Sequence, residues 1–151
     1  MLPLTPFEQQ VLEAFLQGSQ PQLAALRAQI PHTLAKARTH TGVGSFIDFV
    51  VAPAAKRITP TEMVFGDVDV QVDGVTAEVS TILYVVGGHL HFLEFAADSG
   101  EWPQEPVVTK ISYLKSVRDS DASYKQVPCE TRDADALARS RLGPQAKTRD
   151  A

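Results

Sequence analysis

From Thr81 to Phe95 the chain runs Thr-Ile-Leu-Tyr-Val-Val, then Gly87-Gly88, then His-Leu-His-Phe-Leu-Glu-Phe, two β-prone stretches joined by two glycines. That pattern predicts a tight antiparallel hairpin, because two-residue hairpin loops pass through left-handed backbone that glycine enters freely. A second signal lies just upstream. Val68-Asp69-Val70-Gln71-Val72 alternates apolar and polar before Asp73-Gly74, which predicts three consecutive strands from about Val64 to Ala96. With unbroken pairing, Val72 faces Val75, Val70 faces Ala77, Val68 faces Val79, Val85 faces Leu90 and Leu83 faces Phe92. Those side chains share one apolar face, and that face needs a cover.

The first thirty residues supply a cover. Thr5-Pro6-Phe7-Glu8 has the form of a helix-capping box with proline in the first turn, and Phe7, Val11, Leu12, Phe15 and Leu16 recur at helical spacing. Gly18 ends that helix, Pro21 opens a second carrying Leu23, Leu26 and Ile30 on one side, and Pro31 stops it. Residues 33 to 39 and Ser45 to Val51 read as strands across a turn at Thr41-Gly42-Val43-Gly44. Val107 to Val117 reads as another strand, although Val107, Ile111 and Leu114 also fit a helix. The expected fold is α+β, an N-terminal helical hairpin packed on an antiparallel β-sheet. At 151 residues, 44% hydrophobic, one domain over residues 1–128 is expected, followed by a polar, mobile tail over 129–151.

Charge is unevenly spread. The whole chain carries −4, yet residues 41 to 106 hold ten acidic side chains against Lys56 and Arg57, a local balance of −8. Such a region repels nucleic acid and favours a basic protein partner. The N-terminus has no basic stretch leading into an apolar run, and no segment is long and apolar enough to cross a bilayer, so no membrane association is expected and a cytoplasmic setting is. Cys129 is the lone cysteine, next to Glu130, and reads as a bystander with no disulfide partner in the chain.

The unbroken pairing sets Asp69 directly across from Glu78, a like-charge pair that costs stability unless a cation relieves it. Tyr84, Leu93 and Phe95 fall on that same outer face, beside Asp67. Asp67, Asp69, Glu78, Tyr84, Leu93 and Phe95 therefore form the expected partner-binding surface, an acidic rim around an aromatic centre. His89 and His91 project from one strand face two residues apart, while Glu94 falls on the opposite face, towards the core and across from Thr81. These three mark an alternative ligand site between sheet and helices. No metal ligand set is expected, since the acids and histidines lie too far apart to share one ion. No Walker loop, nucleophile elbow or zinc-ligand cysteine pair occurs, and no cofactor or catalytic residue is expected.

The succession Thr41-Gly42-Val43-Gly44-Ser45-Phe46, Phe65-Gly66-Asp67-Val68, Gly87 to Phe95 and Glu101-Trp102-Pro103 resembles small bacterial α+β proteins of uncharacterised activity over residues 5 to 106. In general character the chain is also similar to immunity proteins that neutralise toxins. The expected role is non-catalytic binding of a basic protein partner through the acidic and aromatic face, immunity-like in its concrete form, with homo-oligomerisation left open and a small-ligand-binding or enzymatic domain as the rival.

Overall fold

The computed structural model describes residues 1–120 and 123–133, and the part of the expected tail beyond 133 lies outside them. Two helices, α1 (Pro6–Phe15) and α2 (Pro21–Gln29), lead through a 3₁₀ turn at Ile30–His32 into β1 (Thr33–His40) and β2 (Gly44–Val51). Then follow β3 (Met63–Phe65), β4 (Val68–Val72), β5 (Val79–Val86), β6 (His89–Ala97), β7 (Val108–Ser120) and β8 (Ser123–Cys129). The fold is α+β as expected, with two antiparallel sheets in place of one. A five-stranded sheet has the order β1-β2-β6-β5-β3, and a three-stranded sheet the order β4-β7-β8.

The capping box forms: the Thr5 hydroxyl accepts from the Glu8 N–H at 3.1 Å and the Glu8 carboxylate accepts from the Thr5 N–H at 2.9 Å. From there α1 buries Phe7, Val11, Leu12 and Phe15 along one side. They meet Leu83, Leu93 and Phe95 of the larger sheet and Val68, Val70 and Val72 of the smaller one in a single core. Burying each such side chain is worth roughly 1.5–3 kcal/mol. At the far end of α2, Gln29 is 1% exposed and fully used. Its amide donates to the Lys56 and Gly88 carbonyls, 2.9 Å each, and its carbonyl accepts from the Leu90 N–H at 3.0 Å. One buried side chain thus ties α2 to the β5–β6 turn and the 52–61 loop. Gly88 is required there, since its φ is +81° and an added Cβ would sit 3.0 Å from backbone atoms of Ile58.

Two expected pairings are overturned. β4 does not form a hairpin with β5: it pairs with β7, so Asp69 lies opposite Ser112 and not Glu78. The Asp73-Gly74 turn forms, with the Val75 N–H on the Val72 carbonyl at 3.0 Å, but the chain then leaves strand geometry until Val79. The second correction is a bulge. Tyr84 pairs with Phe92 and Val85 with Leu90, leaving His91 as an extra residue in β6. Because side chains alternate strictly along a strand, that residue exchanges the two faces of everything beyond it. Leu83 faces Leu93, Thr81 faces Phe95, and Leu93 and Phe95 are core residues at 0% and 1% exposure. Phe92, expected inside, is on the other face in a small cluster with Val64 and Tyr84, against which Phe46 and Ile82 pack. Glu94, expected to point into the core across from Thr81, pairs with Ile82 and Phe46 on that same outer side.

Thr81 consequently sits among apolar side chains, 3% exposed, with its hydroxyl unpaired. Leaving a buried hydroxyl unsatisfied costs about 1–3 kcal/mol. Thr81→Val should therefore raise the unfolding free energy by about 1 kcal/mol in urea titration, and a loss of stability would contradict this placement. Phe95→Ala should cost about 3–5 kcal/mol by the same measurement. Deleting His91 should abolish cooperative unfolding, whereas His91→Ala, which keeps the residue count, should change stability by less than about 0.5 kcal/mol.

Candidate functional site

A cleft of about 510 Å³ opens where the first turn of α1 meets β1, β2 and the 102–107 segment. That size falls within the range of roughly 300–1,000 Å³ typical of small-molecule sites. Thr5 to Glu8 form one wall, Arg38 to His40 with Ser45 and Ile47 a second, and Trp102 to Val107 the third.

Another bulge creates the second wall. Ala35 pairs with Phe49 and Ala37 with Asp48, so Lys36 is the additional residue in β1 and every later side chain changes face. Arg38 and His40, now opposite Ile47 and Ser45, turn towards α1. The Arg38 guanidinium grips both oxygens of Glu8, Nε to Oε2 at 2.7 Å and Nη2 to Oε1 at 2.8 Å, and Nη2 also donates to the Pro3 carbonyl at 2.9 Å. The Glu8 side chain is 5% exposed, so its charge is met by Arg38 and by the Thr5 N–H. The Glu8 hydrogen bond in turn holds the Arg38 guanidinium above its usual pKa, with burial opposing.

His40 fastens the third wall. Its Nε2–H donates to the Trp102 carbonyl at 2.9 Å and its Nδ1 accepts from the Gly42 N–H at 3.3 Å. The Trp102 N–H reaches the Gly42 carbonyl at 2.8 Å. The indole stacks on Phe95, centroids 5.5 Å apart at 25°, and meets Phe7 edge-on at 6.3 Å. Pro103 and Pro106 interrupt the pairing of the next residues and leave them as a wall beside the aromatic floor.

Besides the side chains of Thr39, Ser45, Gln104 and Glu105, three further polar groups of this cleft are unspent among the described residues. The Phe7 N–H lies in the first turn, ahead of the helical ladder that starts with Gln9 N–H on the Thr5 carbonyl. Arg38 Nη1 lies on the guanidinium edge that Glu8 leaves untouched. The Trp102 Nε1–H belongs to a side chain only 3% exposed and meets no acceptor. Among the described residues Thr81 Oγ1 is the one side-chain polar atom both sealed and unpaired, so the indole N–H keeps some contact with solvent.

No family model, curated protein or solved structure matches the chain. The site accordingly rests on its own chemistry.

None of the nine residues singled out from the sequence lines the cleft. Leu93 and Phe95 are core residues and supply no surface. Tyr84 is buried in the outer-face cluster at 8% exposure. Asp69 accepts from Ser112 at 3.4 Å, and Glu78 is exposed beyond the Gly74 turn. His89 Nε2–H donates to the Ala55 carbonyl at 3.0 Å, fastening the 52–61 loop, and His91 is the exposed bulge residue. Glu94 is half-buried on the outer side. Among the described residues no three His, Cys, Asp or Glu side chains gather as a metal ligand set.

Asp67 has its cation within the chain. Arg132 binds it through Nε at 2.7 Å and Nη2 at 2.8 Å, and Arg132 Nη1 donates to the Phe15 and Gln17 carbonyls at 2.6 and 2.8 Å. The guanidinium lies over the rings of Phe65 and Tyr113, 5.6 and 5.5 Å from their centroids. Arg27 adds bonds to the Leu16 and Gly18 carbonyls, so two arginines close the negative end of α1. β8 reaches Cys129, and Arg132 docks beyond it. Hydrogen bonds to Thr131 pull the Cys129 thiol below its usual pKa despite Glu130 beside it.

Tyr113 joins this cluster through its hydroxyl, which donates to the Ala14 carbonyl at 2.6 Å. Burial pushes the phenol above its ordinary value of 10.0, against the pull of Arg132. In the unfolded chain the phenol loses its proton near pH 10, while the folded protein keeps it to higher pH. The folded state then binds more protons, so stability falls as pH climbs past about 10. Tyr113→Phe should cost about 1 kcal/mol at neutral pH through the lost bond, and should make the alkaline decline shallower. Unfolding curves between neutral pH and pH 11 check both effects.

Proposed function

We propose that this protein is a non-catalytic binding domain for a small molecule, received in the cleft between α1, the β1–β2 hairpin and the 102–107 segment. The observation that carries this reading is the cleft itself, about 510 Å³, with the nearly buried indole of Trp102 in its lining. A well-formed concavity with an aromatic floor and a few convergent, unspent polar groups is how ligand sites are built. The rest of the wall is spoken for internally: Glu8, Arg38 and His40 are held by one another and by backbone, which gives the cleft a fixed shape and little ordering to lose when a ligand enters.

An immunity-like role through an acidic and aromatic sheet face has less behind it. Leu93 and Phe95 lie in the core, Asp67 is taken by Arg132, and Asp69 and Glu78 belong to separate parts of the surface.

Trp102 is the only tryptophan in the chain, so its emission reports on this cleft alone. A panel of small aromatic and aliphatic compounds should include members that shift that emission and move the amide resonances of Phe7 and Arg38. Ser45→Leu, which puts a larger apolar side chain on the β2 wall, should weaken them at least tenfold. Compounds that bind with Trp102 unperturbed, or that bind the Ser45 variant equally well, would remove the cleft as the site.

A further inference from the structure

We infer that the outer face of the five-stranded sheet is the seat of the chain's own C-terminal segment, residues 134–151, with Arg139 and Arg141 meeting Asp48 and Glu94 among the rings of Phe46, Tyr84 and Phe92. Two cross-strand rows make that face. Val64, Tyr84, Phe92 and Asp48 stand side by side on β3, β5, β6 and β2, and Ile82, Glu94 and Phe46 form the adjoining row. Phe92 lies at the centre, its ring 5.3 Å from that of Phe46 and 5.7 Å from that of Tyr84.

Burial on this face is concentrated at its centre. Val64, Tyr84 and Phe92 are 4%, 8% and 8% exposed, yet their apolar cluster draws on the large sheet alone, and among the described residues neither the helices nor the small sheet contribute to it. Leu34 and Val86, on the same face by alternation but at its margins, are 40% and 41% exposed. A single sheet layer leaves its outward side chains open to water, so a sealed centre within an open margin marks a local cover.

The C-terminal segment leaves from the right edge to provide it. Arg132 is bound to Asp67 and lies over Phe65, the neighbour of Val64 on the edge strand β3. Strands are spaced about 4.8 Å apart, which places β6 roughly 10 Å and β2 roughly 15 Å in from β3. Arg139 and Arg141 follow Asp133 by six and eight residues. Even at the short rise of a helix that carries them about 9 and 12 Å, to which each arginine adds the length of its side chain.

Charge is complementary as well. Residues 134–151 hold Arg139, Arg141, Lys147 and Arg149 against Asp135 and Asp150, and Leu137 and Leu142 flank the first two arginines. On the face, Asp48 and Glu94 stand diagonally on neighbouring strands, each paired across to a phenylalanine. Lys36, the bulge residue beside Ala37, is exposed and forms no ion pair with either acid among the described residues. A guanidinium suits such a place, since it bonds a carboxylate with its edge and stacks on an aromatic ring with its face. A second copy of the same face fits poorly, because it would bring Asp48 and Glu94 against their own duplicates.

The test puts a nitroxide on the segment, at Ser140→Cys in the full chain carrying Cys129→Ser, and reads the broadening of amide resonances. Phe46, Ile82, Phe92 and Glu94 should broaden strongly, whereas Gln71 and Lys110 of the small sheet should stay sharp. Asp48→Asn/Glu94→Gln and Arg139→Gln/Arg141→Gln should each reduce the broadening by half or more, and Lys147→Gln/Arg149→Gln, which removes as much charge, should change it less. Broadening that survives both of the first two changes would overturn the pairing of these arginines with these acids. Sharp outer-face resonances in the labelled chain would overturn the placement and leave the face to a separate partner. Isotope-enriched chains without nitroxide, mixed with nitroxide-bearing chains that are not enriched, should stay sharp; equal broadening there would assign the seat to the segment of a second copy and overturn the inference too. Should either double variant fail to fold, the labelled chain without it still decides the placement.

Discussion

Side chains along a strand alternate between two faces, so one unpaired residue exchanges inside and outside for everything beyond it. The cleft depends on that rule twice. His91 in β6 brings Leu93 and Phe95 to the helices, and Lys36 in β1 does the same for Arg38 and His40. Phe95 is then available as the platform for Trp102, and Arg38 as the partner of Glu8. Without either bulge the cleft would lack its floor or its second wall. Close approach at the β2–β6 seam completes the arrangement: a Cβ on Gly44 would lie 1.9 Å from the Phe95 carbonyl oxygen, so only glycine lets the two strands meet there.

The first helix is finished at both ends by groups from elsewhere. At its start Thr5 and Glu8 satisfy one another locally, and Arg38 anchors that turn to β1. At its finish Arg27 and Arg132 take the exposed carbonyls. The second helix is secured by Gln29, whose amide serves three backbone groups of the β5–β6 turn and its neighbouring loop. Because hydrogen-bonded buried groups are costly to strip of their partners, these joints fix the helices against the sheets more sharply than apolar contact would.

Much of the fold was legible because its causes are local. The capping box at Thr5–Glu8, the breaks at Gly18 and Pro31, the glycine turn at 87–88 and the strands near Ser45–Val51 and Val107–Val117 all formed. The face assignment failed at Phe92-Leu93-Glu94-Phe95, where large apolar residues stand on both sides of the sheet and the pattern reads equally well with or without a bulge. The partner of β4 failed because Asp73-Gly74 does turn the chain, while the strand that pairs, β7, lies some forty residues on. The cleft was hidden in a different way. Its parts were visible as a helix start and as the Trp102-Pro103 break, but only the closed structure brings segments a hundred residues apart to one place. Arg132 gave no signal at all, one basic residue in a polar stretch.

The separation of Arg132 from its partners has a consequence for how the chain acquires its structure. The Phe15 and Gln17 carbonyls are 117 and 115 residues ahead of the guanidinium that binds them, and Ala14 precedes the Tyr113 hydroxyl by 99. A ribosome delivers residues in order, so α1 emerges first and is closed last. Throughout synthesis its C-terminal carbonyls have Arg27 and water for company, and the small sheet that shields its side cannot assemble before β7 is out. The joint is also long in loop-closure terms, which places it late in any refolding and makes the integrity of this short stretch after β8 the final condition for a native first helix.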